Sequence, residues 1–204
     1  MITFYDKFGE RGGDYARRHL RHNDYWTKDE QIEGKWFGKM CAEVGVEAGG
    51  KVSEKEFKDL SENKHAKTGE QITVKNNTTR IEDVLNHETG LLEEKEVPNR
   101  KPFCDGPCSA PKTFSVQGIL GKDPRIREMH RAAVFKTAEE IERIAGRQIH
   151  NGQEHVERTQ KIVAAMYEHD ASRCQEVQLH THIVTFNMTR AENGKRYADR
   201  KSVV

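Results

Sequence analysis

The sequence predicts an α+β fold, a sheet with at least one long helix packed on it, and three observations predict it. In "DPRIREMHRAAVFKTAEEIERIAG" the residues Ile126, Met129, Ala133, Val134, Ala138, Ile141 and Ile144 keep close to a ~3.6-residue period. Two strand-like stretches, "KIVAAMYEHDASR" and "QLHTHIVTFNMTR", are joined by a short polar connection, which makes them antiparallel neighbours. Asn193-Gly194 in "AENGKRY" then supplies a turn into a further strand.

In chain order, "GGDYARRHLRHNDYW" reads as a helix with Asp14 at its N-cap, placing Tyr15, Arg18, His19 and His22 along one face. A second helix is expected over "KWFGKMCAEVG", ending at Gly45 as C-cap, and a third, short one over "SEKEFKDLSE" behind its leading serine. Residues 63–99 are polar and weakly patterned. They read as an insertion or mobile excursion with a hairpin or short helix around Ile81 to Leu85. The long helix follows, with Pro124 near its start and Gly146 as its stop. The first strand of the antiparallel pair breaks at Asp170.

The chain has 204 residues, enough for one domain with a real core; 34% are hydrophobic and 33% charged, so that core must come from a few well-patterned segments. No run approaches the ~18 apolar residues of a membrane span. The start "MITFYDKFGERGG" lacks the basic-then-apolar pattern of a secretory signal, so a cytoplasmic location is expected. Cys41, Cys104, Cys108 and Cys174 do not make the dense framework of a small secreted scaffold. Cys104 and Cys108 lack a second pair at matching spacing and read as free buried thiols rather than zinc ligands. A formal net charge of +1 excludes a global basic field, so nucleic-acid binding must rest on local clusters.

The most informative stretch is "CQEVQLHTHIVTF". In an extended strand His180 and His182 share one face, while Leu179, Thr181 and Ile183 take the other. Pairing with the preceding strand brings His169 near them, and three imidazoles converging from a sheet make a divalent-metal site with open positions. The pattern alone does not choose among zinc, copper, iron, nickel and manganese.

These residues carry a resemblance. "HDASRCQEVQLHTHIVTFNMTRAENGKRYA" resembles the motif of conjugative relaxases of the MobF type, members of the HUH endonucleases, which read H-[DE]-x-S-R, then P-Q-L-H-T-H, then a strand ending N-x-T; Val177 stands where proline is usual. "DGPCSAPKTFSVQGILGKDPRIREMHRAAV" is similar to their D-L-T-F-S-A-P-K-S-V-S block and following helix, and "DYARRHLRHNDYWTKDEQIEGKWFGKMCAEVG" to their tyrosine region and G-x-W-x-G-K-G-A segment.

The resemblance implies a two-layer α/β sandwich, a central antiparallel sheet carrying the histidine triad with helices packed on one face. It implies one domain over residues 1–204, C-terminally truncated relative to domains that run on past the last motif. The implied activity is nicking and strand transfer of single-stranded DNA at a plasmid origin of transfer, through a covalent 5'-phosphotyrosine. A phenol with a pKa near ~10 needs a base and a polarised phosphate to be a useful nucleophile at neutral pH. By the family's pattern, Tyr15 makes the first cut and Tyr25 serves a second transfer. Ala16 and Trp26 replace the second tyrosine of each family pair.

His169, His180 and His182 would hold the divalent ion, Mg2+ or Mn2+ in preference to Zn2+ or Ni2+. Asp105 would orient a ligating histidine or help to accept the tyrosine proton. Arg17, Arg18, Arg21, Lys112 and Arg173 would contact DNA phosphates; Trp26, Trp36 and Phe37 could stack on bases, although a place in the core is the commoner role for such residues. Relaxosome and coupling proteins are the implied further partners. Two competing readings are a non-catalytic single-stranded-DNA-binding module that keeps the fold, and an unrelated histidine-metal hydrolase, which the S-A-P-K block argues against.

Overall fold

A computed structural model describes residues 5–7, 33–73, 79–85, 92–98, 101–150, 154–172, 174 and 176–198. The elements in chain order are β1 (Tyr5–Lys7), β2 (Lys35–Phe37), a 3-10 turn (Ala42–Val44), α1 (Glu54–Ser61), β3 (Thr79–Leu85), β4 (Leu92–Pro98), β5 (Phe103–Ser109), α2 (Lys112–Ile119), α3 (Pro124–Ile144), β6 (Gly146–His150), β7 (Glu154–Arg158), β8 (Ala164–Ala171), β9 (Val177–Phe186), β10 (Thr189–Arg190) and β11 (Arg196–Tyr197). Five strands build one antiparallel sheet in the order β1-β5-β9-β8-β2, and three separate ribbons pair β3 with β4, β6 with β7 and β10 with β11. The fold class is therefore α/β with a central antiparallel sheet, and β8 and β9 are the expected antiparallel neighbours.

Alternation along β9 builds both layers. Ile183, with Ile162 and Ala164, packs against Val134, Ala138 and Ile141 of α3. On the opposite face Val184 and Phe186 join Trp36, Phe57, Phe103 and Tyr167 in an aromatic core. There Phe57 meets Phe186 edge-on at 4.9 Å between centroids. Helices α2 and α3 share one face. The short α1 adds its Phe57 and Leu60 to the other.

The expected helix over "KWFGKMCAEVG" is instead β2, a turn and the 3-10 segment. Trp36 and Phe37 are adjacent and both buried, but in different cores, which requires a strand's alternation. Gly38 then turns the chain at φ 112°, and a Cβ there would lie 2.2 Å from the Ile162 carbonyl oxygen. Gly45 does cap the segment, in the left-handed conformation. Burial of Trp36 and Phe37 also removes them from base stacking. Trp36 gives its indole N–H to Glu56 at 3.3 Å.

Other expectations meet the structure more closely. α1 starts with a reciprocal capping box, in which Ser53 Oγ accepts from the Glu56 N–H and Glu56 Oε2 from the Ser53 N–H, each at 3.2 Å. Ile81 to Leu85 belong to a hairpin, and Gly194 makes the turn before β11 with φ 76°. The residues from Asn63 to Thr73 fold back on the core, where Asn63 Nδ2 donates to Thr73 Oγ1 at 2.8 Å. In α3, Pro124 occupies the first turn, as expected, and Asp123 caps it. Ala145 rather than Gly146 is the C-cap, and Gly146 opens β6. The inward stripe of α3 also differs from the apolar period. His130, Val134, Ala138, Ile141 and Glu142 face in, while Met129 is 58% exposed.

Glu142 is buried because it satisfies backbone. Its Oε1 accepts from the Lys39 N–H at 2.7 Å and the Ile162 N–H at 3.3 Å, tying the Gly38 turn to the start of β8. Glu142→Ala leaves both donors without that acceptor and is expected to cost about 2–4 kcal/mol, read from urea denaturation midpoints.

All four cysteines are free thiols. Burial pushes Cys41 up to about 12 and Cys108 up to about 11, so neither offers a thiolate near neutrality. Ellman's reagent at pH 8 should therefore modify exposed Cys174 first and leave Cys41 and Cys108 intact until the protein unfolds. No described helix is long and apolar enough to cross a membrane.

Candidate functional site

The sheet's register gathers the three histidines. His169 on β8 lies directly across from His180 on β9, and Tyr167 lies across from His182. The ring centroids are 5.1 Å apart for His169 and His180, 5.3 Å for His169 and His182, and 5.2 Å for His180 and His182. With metal–nitrogen bonds of ~2.1 Å and tetrahedral angles, three imidazoles about one ion hold their centroids ~5 Å apart. The spacing fits an ion. Among the described residues no three donor side chains stand already turned to a common point, so ligation requires the rings to rotate in place.

The nitrogens are sorted by their partners. His180 Nδ1 is 3.0 Å from the Gln178 carbonyl oxygen, which only accepts, so Nδ1 carries the proton and Nε2 keeps its lone pair. His182 Nδ1 is 2.8 Å from Asp105 Oδ1, a carboxylate oxygen that accepts, so Nδ1 is the donating nitrogen and the ring's other nitrogen is turned away from Asp105. Burial, against the opposing pull of the Gln178 hydrogen bond, holds His180 below the ordinary histidine range. A neutral imidazole is the ligating form.

Asp105 reaches the site because β5 pairs with β9, setting Asp105 across from Val184 and therefore on the histidine face, diagonal to His182. It is 4% exposed. Read alone, "CDGPC" looks like a turn; within the sheet it is strand, with Pro107 across from His182 and Ser109 across from His180.

Lys112, first residue of α2, pairs with Glu176 Oε2 at 2.8 Å on the surface. Tyr5 sits in edge strand β1 across from Asp105. Tyr15, Tyr25, Arg17, Arg18, Arg21, Trp26 and Arg173 lie outside the described residues.

Behind the triad the sequence reading missed a set of side chains on α3. Arg127 Nη1 meets Glu168 Oε1 at 3.0 Å and its Nη2 meets Asp170 Oδ2 at 2.5 Å, while Arg131 binds Glu168 through two nitrogens at 2.6 and 2.9 Å. The available signal was Arg127, His130 and Arg131 at i, i+3 and i+4, one helix face, opposite a strand reading Glu-His-Asp.

Residues 9–203 match the family model described as TrwC relaxase. The chain belongs to the TrwC relaxase family. The solved structures similar to this relaxase-family chain include "Conjugative relaxase TrwC in complex with oriT DNA, metal-bound structure", with TM-score 0.71 and 25% identity over 98% of this chain and 61% of that one. A copper-bound TrwC–oriT complex also has TM-score 0.71, with 26% identity over 98% and 62%. Among curated proteins, the multifunctional conjugation protein TraI of Escherichia coli strain K12 is 37% identical over 120 residues, which is 58% of this chain and 7% of TraI. This relaxase-family chain thus spans about three fifths of the solved TrwC chains and a small part of TraI.

Proposed function

We propose that this chain cuts and rejoins single-stranded DNA at an origin of transfer, by tyrosine attack on a phosphodiester beside a divalent ion held by His169, His180 and His182. The observation that carries the reading is the triad itself, three imidazoles at ion-binding spacing with Asp105 on the Nδ1 of His182. TrwC, a solved relative, is found with oriT DNA, with a metal and with copper. Mg2+ or Mn2+ is the proposed physiological ion. A DNA substrate of this kind places the reaction in the cytoplasm, with relaxosome and coupling proteins as further partners.

Tyr15 is the proposed first nucleophile and Tyr25 the second. The phenol oxygen bonds to phosphorus, the bond to the 3' oxygen breaks, and the chain is left with a 5'-phosphotyrosine and a free 3'-hydroxyl. Reversal by a 3'-hydroxyl rejoins the strand. When bound, the ion offsets the charge that builds on the phosphate oxygens. His180 and His182 are each held through Nδ1, by the Gln178 carbonyl and by Asp105. That contact supports an orienting role for Asp105 over acceptance of the tyrosine proton. Lys112, Arg173 and the Arg17, Arg18 and Arg21 cluster would hold phosphates. For Lys112 this means exchanging Glu176, an exposed pair that solvent screens.

The test is incubation with labelled single-stranded origin-type oligonucleotides and Mn2+ or Mg2+, then mass spectrometry for a phosphotyrosyl peptide. An adduct on Tyr15 that disappears with chelator and in Tyr15→Phe supports the reading, with Tyr25→Phe retaining the first cut. DNA retention and metal binding with no adduct would instead make the chain a docking module.

A further inference from the structure

Arg127, His130 and Arg131 reach the triad's strands from the face opposite the histidines, and the place where they attach is not arbitrary. The β8–β9 ladder is regular up to His169 across from His180, and the next pair, Ala171 with Val177, is shifted by an irregularity. Regular pairing therefore reaches His169 from one side and resumes beyond it in a shifted register, where a bulge bends the strand. The residues flanking His169, Glu168 and Asp170, point to the α3 face. One guanidinium, that of Arg127, binds both and so spans the irregularity. Its planar fork suits two carboxylates at once. Arg131 doubles the hold on Glu168. One strand over, His130 Nε2 lies 3.0 Å from Oγ1 of Thr181, the residue between His180 and His182.

Burial does not argue that these are ordinary surface pairs. The Arg127 side chain is 29% exposed and those of Glu168 and Asp170 are 21% and 25%.

We infer that Arg127 is a positioning residue for His169, acting through Glu168 and Asp170 to fix the direction in which that imidazole leaves a strand whose own ladder shifts register there, with Arg131 and His130 bracing the same assembly from α3. The inference rests on the histidine triad being the ion site. It assigns α3 a role in metal affinity, although the helix lies on the far side of the sheet.

The test is calorimetric titration of the full chain with Mn2+ and with Ni2+ at 15 °C, for wild type, Arg127→Met, Arg127→Lys, Asp170→Asn and the control Arg143→Met, whose guanidinium pairs with exposed Glu140. Loss of an outer partner that orients a ligand lowers affinity by ~10–100-fold. That loss is expected for Arg127→Met, a smaller one for Asp170→Asn, partial recovery for Arg127→Lys, and no change for Arg143→Met. Near-UV circular dichroism at the same temperature confirms folding, so reduced stability alone would leave the affinity of the folded protein unmoved. Wild-type affinity in folded Arg127→Met overturns the proposal; if that variant does not fold, wild-type affinity in Asp170→Asn does so. Should the wild type bind neither ion, the metal reading fails. The positioning claim is then decided in the metal-free protein by the His169 ring resonances, one sharp set in wild type against several in the variant, with identical spectra overturning it.

Discussion

His182→Ala is expected to lower single-turnover strand cleavage by at least ~10³-fold and to weaken divalent-ion binding in parallel, because an ion at such a site supplies several kcal/mol of transition-state charge stabilisation. Two effects combine. The centre loses one of three nitrogen donors, and Asp105, buried on the sheet, loses the ring its Oδ1 holds at 2.8 Å. Val184 and Phe186, farther along β9 on the same face, keep the aromatic core, so the variant should fold. The measurement is cleavage of an end-labelled oligonucleotide in manganese, with calorimetry on the same preparation. Cleavage within tenfold of wild type would remove His182 from the chemistry.

Asp105→Asn should produce the next largest loss, ~10–100-fold in ion affinity and a comparable fall in the cleavage rate at saturating DNA. The amide keeps the size of the carboxylate and an oxygen that can accept from Nδ1, but not the charge that makes the imidazole a stronger donor. Because Asp105 is 4% exposed, it is placed to act through His182 rather than on DNA. The expected pattern is therefore a reduced maximal rate with little change in the oligonucleotide concentration for half-saturation. An unchanged rate with weaker DNA binding would assign Asp105 to the nucleic acid instead.

The parts of the site that could be read from sequence were those encoded by local periodicity. His-x-His on a strand states a shared face in three residues, and the polar connection from Asp170 onward states that its neighbour runs back alongside it. Asp105 was different. Its place depends on β5 pairing with β9 across more than seventy intervening residues, and its immediate neighbours, Gly106 and Pro107, suggest a turn. Only the resemblance to known relaxases pointed to it. Trp36 and Phe37 misled for a related reason. Two consecutive large apolar residues suit a helix end as well as an edge strand buried on both sides, and the tertiary layers on either side of β2 decide between them. Arg127, His130 and Arg131 went unread because their partners are on a strand remote in sequence.

β9 carries a further consequence. It is bonded on both edges, to β5 and to β8, and its far half is sealed in the aromatic core. Amides of Ile183, Val184 and Phe186 should thus exchange with solvent only when the whole sheet opens, and His180 and His182 are extensions of that slow-exchanging unit. The proposed cycle of cutting and rejoining needs something to move, since one strand end must depart and another arrive. The backbone that carries His180 and His182 is not what moves. The turnover clock would be set by how fast the DNA and the chain around it rearrange over a stationary floor.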